Sequence, residues 1–222
     1  MNLRWKIAQA AEIRWWQNYL NKKPKADYLS WKKEYWQKLL EKCDLDFSNK
    51  KEKVLDAGCG PAGMFMILPN QDVDAMDPLL DDYETKLDHF SKEDYPNVQF
   101  FSTPLENFSP RTADGKASKK YDTIFCLNAI NHVSDLEMCF NQLVNFTKEG
   151  GTLVVSIDAH NHSFFKKIFR LLPGDILHPH QYDLKEYQQM LLDRGCTIEK
   201  TILYNEEFFF NYFILVCKKL EA

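Results

Sequence analysis

Apolar side chains recur at helical spacing from residue 3 to 43, with a polar, proline-containing break at 21–25, so the pattern predicts two helices before any strand. Further along, short apolar runs alternate with amphipathic ones. Strands are predicted near 53–58, 71–77, 98–103, 121–128 and 150–158, and helices near 62–67, 79–90, 134–147 and 183–194. The closing stretch, CTIEKTILYNEEFFFNYFILVCKKL, reads as two long apolar strands around a short charged turn. Alternation of this kind builds a parallel sheet with right-handed crossovers, and ligands of such sheets bind beyond the carboxyl ends of the strands. The polar run SPRTADGKASKKYD, which contains Gly115, reads as a surface loop ahead of the fourth strand.

Bulk properties narrow the classes. A chain of 222 residues holds one sizeable α/β domain with a modest addition, here a helical extension or lid over 1–48 followed by the main domain over 49–222. Apolar residues at 45% and charged residues at 27% are the balance of an ordinary globule. The net charge of −4 offers a polyanion nothing to bind, so no nucleic-acid partner is expected. The N-terminal stretch lacks an apolar signal core, and no run approaches the roughly 20 apolar residues of a membrane span. A cytoplasmic location without membrane contact is the expectation. Six cysteines without C-x-x-C spacing are expected to be reduced and buried.

The chemistry concentrates in KVLDAGCGPAG at 53–63. A strand running into a tight turn needs Gly58 for unusual dihedrals and Gly60 where backbone must approach a ligand, with Gly63 completing the spacing. A second strand would end at Asp77, where a carboxylate can take both hydrogen bonds of a ribose diol. An adenosine-containing cofactor follows. The nicotinamide fingerprint has the same glycine spacing, so other residues must decide. Asp56, two positions before Gly58, gives a pyrophosphate nothing and suits a cationic ligand.

The run VLDAGCG, the MDP at 76–78 and the later stretch YDTIFCLNAINHV resemble the class I S-adenosylmethionine-dependent methyltransferases of small-molecule type, over roughly Lys53 to Leu220. One departure is that the third glycine of that family more often falls where Ala62 stands. The resemblance implies a Rossmann-like, mostly parallel seven-stranded sheet of order 3-2-1-4-5-7-6 with helices on both faces, and S-adenosylmethionine as cofactor. It also implies that Asp56, Gly58, Cys59 and Gly60 form the cofactor turn, and that Asp77 holds the ribose with Pro78 against one adenine face. Asp77 as a helix cap is the competing role. For the other adenine face Thr103 and Glu106 compete, beside Pro104 and Leu105. Asn128 and Ala129 are placed at the cofactor's amino-acid end. His132 falls near the methyl group, as a general base or as a packing residue.

For the acceptor, the long segment after the fifth strand is rich in His and Phe and is either a pocket or a surface insertion. His160, His178, His180 and Tyr182, with Trp16 and Tyr19 from the first helix, are the candidate acceptor contacts; His162 and Phe164, Phe165 and Phe169 accompany them. The H-x-H pairs at 160/162 and 178/180 lack companion ligands, so no metal is expected. All five tryptophans fall in the N-terminal helices and either pack these onto the body or cover the cofactor. The N/D-P-P-Y and Pro-Cys motifs of base-modifying enzymes are missing, which favours methyl transfer to an oxygen or nitrogen of a small molecule. The alternatives are a catalytically silent cofactor-binding scaffold and a nicotinamide oxidoreductase.

Overall fold

The computed structural model describes residues 3–111, 115, 118–160, 182–206 and 210–221. Two helices, α1 (Leu3–Leu20) and α2 (Lys25–Cys43), precede β1 (Lys53–Ala57) and β2 (Asp72–Met76). After α3 (Leu80–Lys86) come β3 (Val98–Phe101), β4 (Tyr121–Cys126), α4 (Leu136–Phe146), β5 (Thr147–His160), α5 (Leu184–Leu192), β6 (Cys196–Glu206) and β7 (Phe210–Lys219). The strands form one seven-stranded sheet of order β3-β2-β1-β4-β5-β7-β6, the order that the resemblance implies. β1 is parallel to β2 and β4, in register from Lys53 opposite Asp72 to Ala57 opposite Met76. β7 is antiparallel to both β5 and β6.

Helices cover both faces, so the central strands are buried on both sides and read as unbroken apolar runs. On one face α1, α2 and α3 lie over Val54, Val73 and Val154, and on the other α4 and α5 lie over Leu55, Ile124 and Leu153. The N-terminal helices share the first of these cores: Ile13, Leu20, Tyr28, Trp36, Leu39 and Cys43 are buried in it. Local signals set the later helices. Asp135 caps α4 by accepting from the Met138 N–H at 2.9 Å, and Asp183 and Glu186 form a reciprocal capping box on α5. All six cysteines are free and buried.

Two predicted helices are shorter in the structure. The segment predicted as a helix near 62–67 is a single 3-10 turn, Met64–Ile67, whose Met64, Phe65 and Met66 are all buried. A fully buried run has no polar face from which to read a period, so its length could not be judged from pattern. The helix predicted over 79–90 ends at Lys86, where Leu87 turns extended and it and Phe90 enter the core. Among the described residues no helix is long and apolar enough to cross a membrane.

Candidate functional site

Where β1 ends, Gly58 (φ 72°) and Gly60 (φ 58°) take the left-handed conformation that side chains disfavour. The N–H groups of Gly58 and Cys59 both donate to the Met76 carbonyl, at 2.8 and 3.1 Å, which ties the turn to the end of β2. A Cβ on Gly58 would lie 2.2 Å from that of Ala129, so the turns after β1 and β4 meet with no room for a side chain. Asp77 follows directly. Its Oδ2 accepts from the Gly60 N–H at 3.0 Å and its Oδ1 from the Leu79 N–H at 2.9 Å. A carboxylate has about four acceptor positions, so Asp77 serves the local turn and keeps capacity for a ligand.

A cavity of about 220 Å³ lies against these residues, beyond the carboxyl ends of β1, β2 and β4. Gly58, Cys59, Gly60, Asp77, Pro78, Pro104, Leu105, Asn128, Ala129 and His132 line it, as does Trp16 from α1. Asn128 holds φ 54° and donates its N–H to the Ser156 hydroxyl at 2.7 Å, which fixes the turn after β4. Of the two competitors beyond β3, Glu106 lines the cavity and Thr103 does not. The Glu106 carboxylate also accepts from the N–H and hydroxyl of Ser134, each at 2.7 Å, and so anchors the loop ahead of α4.

Asp56 differs from the expectation. Its side chain is 2% exposed and is not among the cavity-lining residues; its Oδ2 accepts from the Phe65 N–H at 3.1 Å. A Cβ on Gly63 would fall 2.4 Å from that oxygen, so the third glycine makes room for the carboxylate. Asp56 is the fourth residue of β1, and its side chain points into the face packed by the 64–67 turn. The argument that it confronts a cationic ligand is therefore corrected: Asp56 is a strut beneath the turn. Tyr19 is also displaced, stacking on Trp15 at 4.9 Å outside the set of cavity-lining residues. Tyr182 packs edge-on to Tyr187 at 5.7 Å and does not line the cavity either. His160 ends β5, with its side chain outside the described atoms. His162, Phe164, Phe165, Phe169, His178 and His180 lie outside the described residues.

Burial shapes the electrostatics. It pushes the Asp77 carboxyl up to about 7, with the nearby Glu12 adding to the rise and the Leu79 and Gly60 N–H groups opposing it. It pushes Asp56 up to about 7 as well, against the Phe65 and Met64 N–H groups and the Lys32 ammonium. Lys32 is lowered to about 8 by burial, with Asp56 opposing. Among the described residues no group of three His, Cys, Asp or Glu is placed to hold a metal.

Sequence reasoning missed Gln9, Glu12 and Lys32, which the N-terminal helices bring to the cavity wall together with Trp36. Glu12 accepts from the Tyr83 hydroxyl at 3.4 Å. The Trp36 indole N–H donates to the Ala62 carbonyl at 2.9 Å and fastens α2 to the glycine turn. One signal was there to be used, since Lys32 and Trp36 are four residues apart and share a helix face. Among the tryptophans, Trp36 is buried in the core and also lines the cavity, Trp16 lines the cavity, and Trp15 and Trp31 are exposed.

Residues 28–201 match the profile of a methyltransferase domain family, described as "Methyltransferase domain". The chain is 28% identical over 121 residues to a ubiquinone biosynthesis O-methyltransferase of Rickettsia typhi, covering 53% of this chain and 46% of that protein. It thus spans about half the length of that curated relative. Magnesium protoporphyrin IX methyltransferase from Synechocystis PCC 6803, solved with bound S-adenosylhomocysteine, superposes with TM-score 0.56 at 19% identity, covering 84% of this chain and 83% of that one. The N-methyltransferase NodS from Bradyrhizobium japonicum WM9 superposes with TM-score 0.60 at 14% identity, covering 91% and 100%. At such identities the two structures testify to the fold. With the family profile spanning well over half of its length, this chain belongs to the methyltransferase domain family, and so to the class I S-adenosylmethionine-dependent methyltransferases.

Proposed function

We propose that the protein moves a methyl group from S-adenosylmethionine to an oxygen or nitrogen atom of a small-molecule acceptor. The observation that carries this reading is the meeting of the glycine turn and the Asp77 carboxylate on one cavity at the carboxyl edge of the sheet, in a chain of this family. The residues fit the cofactor. Gly60 has no atom nearer than the Trp16 ring at 3.9 Å to where its Cβ would be, which leaves backbone open to a ligand. Asp77 has acceptor capacity for a ribose diol, and Pro78 and Leu105 offer apolar surface to the adenine. The turn of Asn128 and Ala129 serves the amino-acid end.

When bound, S-adenosylmethionine supplies a methyl group on a sulfonium, already activated for in-line displacement. The chain therefore has mainly to align an acceptor and keep water away. His132 lines the cavity beyond β4, and in this reading its imidazole takes the proton of an acceptor hydroxyl or amine as that group attacks the methyl. The negative net charge favours a small acceptor over a polyanion. The Rickettsia relative is named an O-methyltransferase and the Bradyrhizobium neighbour an N-methyltransferase, so both acceptor atoms stay within the proposal.

The test is thermal stabilisation by S-adenosylhomocysteine against NAD, since a ligand that binds only the folded state raises its melting point. S-adenosylhomocysteine should stabilise and NAD should not; the reverse would remove the proposal. With an acceptor in hand, His132→Ala should slow turnover more than it weakens S-adenosylhomocysteine binding, and unchanged turnover would take the base away from His132.

A further inference from the structure

We infer that Lys32 on α2 recognises the carboxylate at the amino-acid end of the cofactor and thereby sets the enzyme's preference for the complete amino-acid tail. The inference rests on the S-adenosylmethionine reading above and goes beyond it, to a residue outside the glycine motif. S-adenosylmethionine and S-adenosylhomocysteine both carry a carboxylate, and the cavity wall already contributes three: Glu12, Asp77 and Glu106. A fourth negative group would be repelled unless a cation met it. Among the described cavity-lining residues Lys32 is the one lysine or arginine.

Its position is built. Trp36, one helical turn on, is fastened to the glycine turn through the Ala62 carbonyl at 2.9 Å, so α2 cannot carry Lys32 away without breaking a buried hydrogen bond. The ammonium sits 4.5 Å from the Trp36 ring centroid and 5.1 Å from that of Tyr35, so its stem lies among aromatic rings. A lysine with a clear path to water would extend its ammonium there. Lys32 is instead held half-buried, with the buried Asp56 the charge that acts on it. Asp56, beneath the glycine turn, favours the charged form of this ammonium, and both Glu12 and Asp56 act on Asp77. Fastened beside the glycine turn, Lys32 lines the same cavity as Glu12 and Asp77 and offers the cofactor's carboxylate a partner of opposite charge.

The alternative is that Lys32 only neutralises Asp56. Calorimetry separates the two, using S-adenosylhomocysteine, its carboxamide and 5′-methylthioadenosine, which lacks the amino-acid tail. The parent protein should bind S-adenosylhomocysteine more tightly than either analogue. Lys32→Met should weaken S-adenosylhomocysteine roughly 10- to 100-fold, the loss of a charge-assisted contact, and leave 5′-methylthioadenosine unchanged. Lys32→Arg should keep most of the preference. Equal weakening of both ligands in Lys32→Met would overturn the inference in favour of the purely structural role. So would a parent that binds the acid and its carboxamide alike, a comparison that stands even if the methionine variant fails to fold. A parent that binds none of the three compounds would instead remove the cofactor reading itself.

Discussion

Asp56 and Asp77 belong to neighbouring strands and are almost equally buried, at 2% and 7% exposure, with both carboxyls pushed up to about 7. Their uses differ. Asp56 is the fourth residue of β1 and turns into the packed face, where it holds the Phe65 N–H and the Gly63 turn. Asp77 stands one residue past the end of β2 and reaches the cavity. A difference of two positions relative to a strand end thus separates a carboxylate buried beneath the turn from one that faces the cavity. Burial and a raised pKa alone identify neither role, because a strut and a binding group are desolvated alike.

Gly63→Ala attacks the Asp56 half most strongly. Its Cβ would meet the Asp56 carboxylate at 2.4 Å and the Cys59 carbonyl at 2.6 Å, and backbone cannot step aside cheaply. A loss of about 3 kcal/mol in denaturant stability is expected, as for an overpacked core. A variant as stable as the parent would show that the turn is loose. Asp77→Ala addresses the other half and should weaken S-adenosylhomocysteine by on the order of 1–3 kcal/mol in calorimetry, the size of lost hydrogen bonds to a charged acceptor. Unchanged affinity with the fold intact would take Asp77 out of the ribose site. Asp56→Ala should cost about 1–2 kcal/mol of stability by leaving the buried Phe65 N–H unpaired. A drop in 5′-methylthioadenosine affinity as large as that in Asp77→Ala would erase the contrast.

The mildest perturbation is pH. Both carboxyls are raised above the ordinary value of about 3.9, so between about pH 4 and 7 the native state binds more protons than the unfolded one. The stability they contribute is present at low pH and is lost as pH rises through about 7, and replacing both residues by Asn should flatten that slope in denaturant titrations. Ligand affinity should run the other way at first. It should rise as Asp77 ionises near 7 and decline beyond about 8 as Lys32 loses its proton. Calorimetry across this range that shows no maximum would separate these two groups from binding.

Much of this molecule was legible in advance. Alternating apolar runs and the glycine spacing specify a parallel sheet with its cleft at the carboxyl edge, and the long closing hairpin accounts for the antiparallel β7. The place of Asp77, Gly58 and Asn128 at the cavity was legible because strand ends and turns carry local signatures. Tyr19 falls outside the cavity-lining residues for a definite reason. It lies three residues after Trp16 on one helix face, and only the angle at which α1 settles on the sheet decides that Trp16 meets the cavity while Tyr19 stacks on Trp15. The same holds for Lys32, whose partners Asp56 and Trp36 come together only when α2 docks on the glycine turn.

What the chain by itself determined is the periodicity of its elements, their order and the residues able to bend, because these depend on neighbours a few positions away. What the tertiary structure decided is which way each charged group points: inward at Asp56, to the cleft at Asp77, and against aromatic rings at Lys32. Such directions depend on where a strand stops and how a helix sits, and these are set by packing between segments far apart in the sequence.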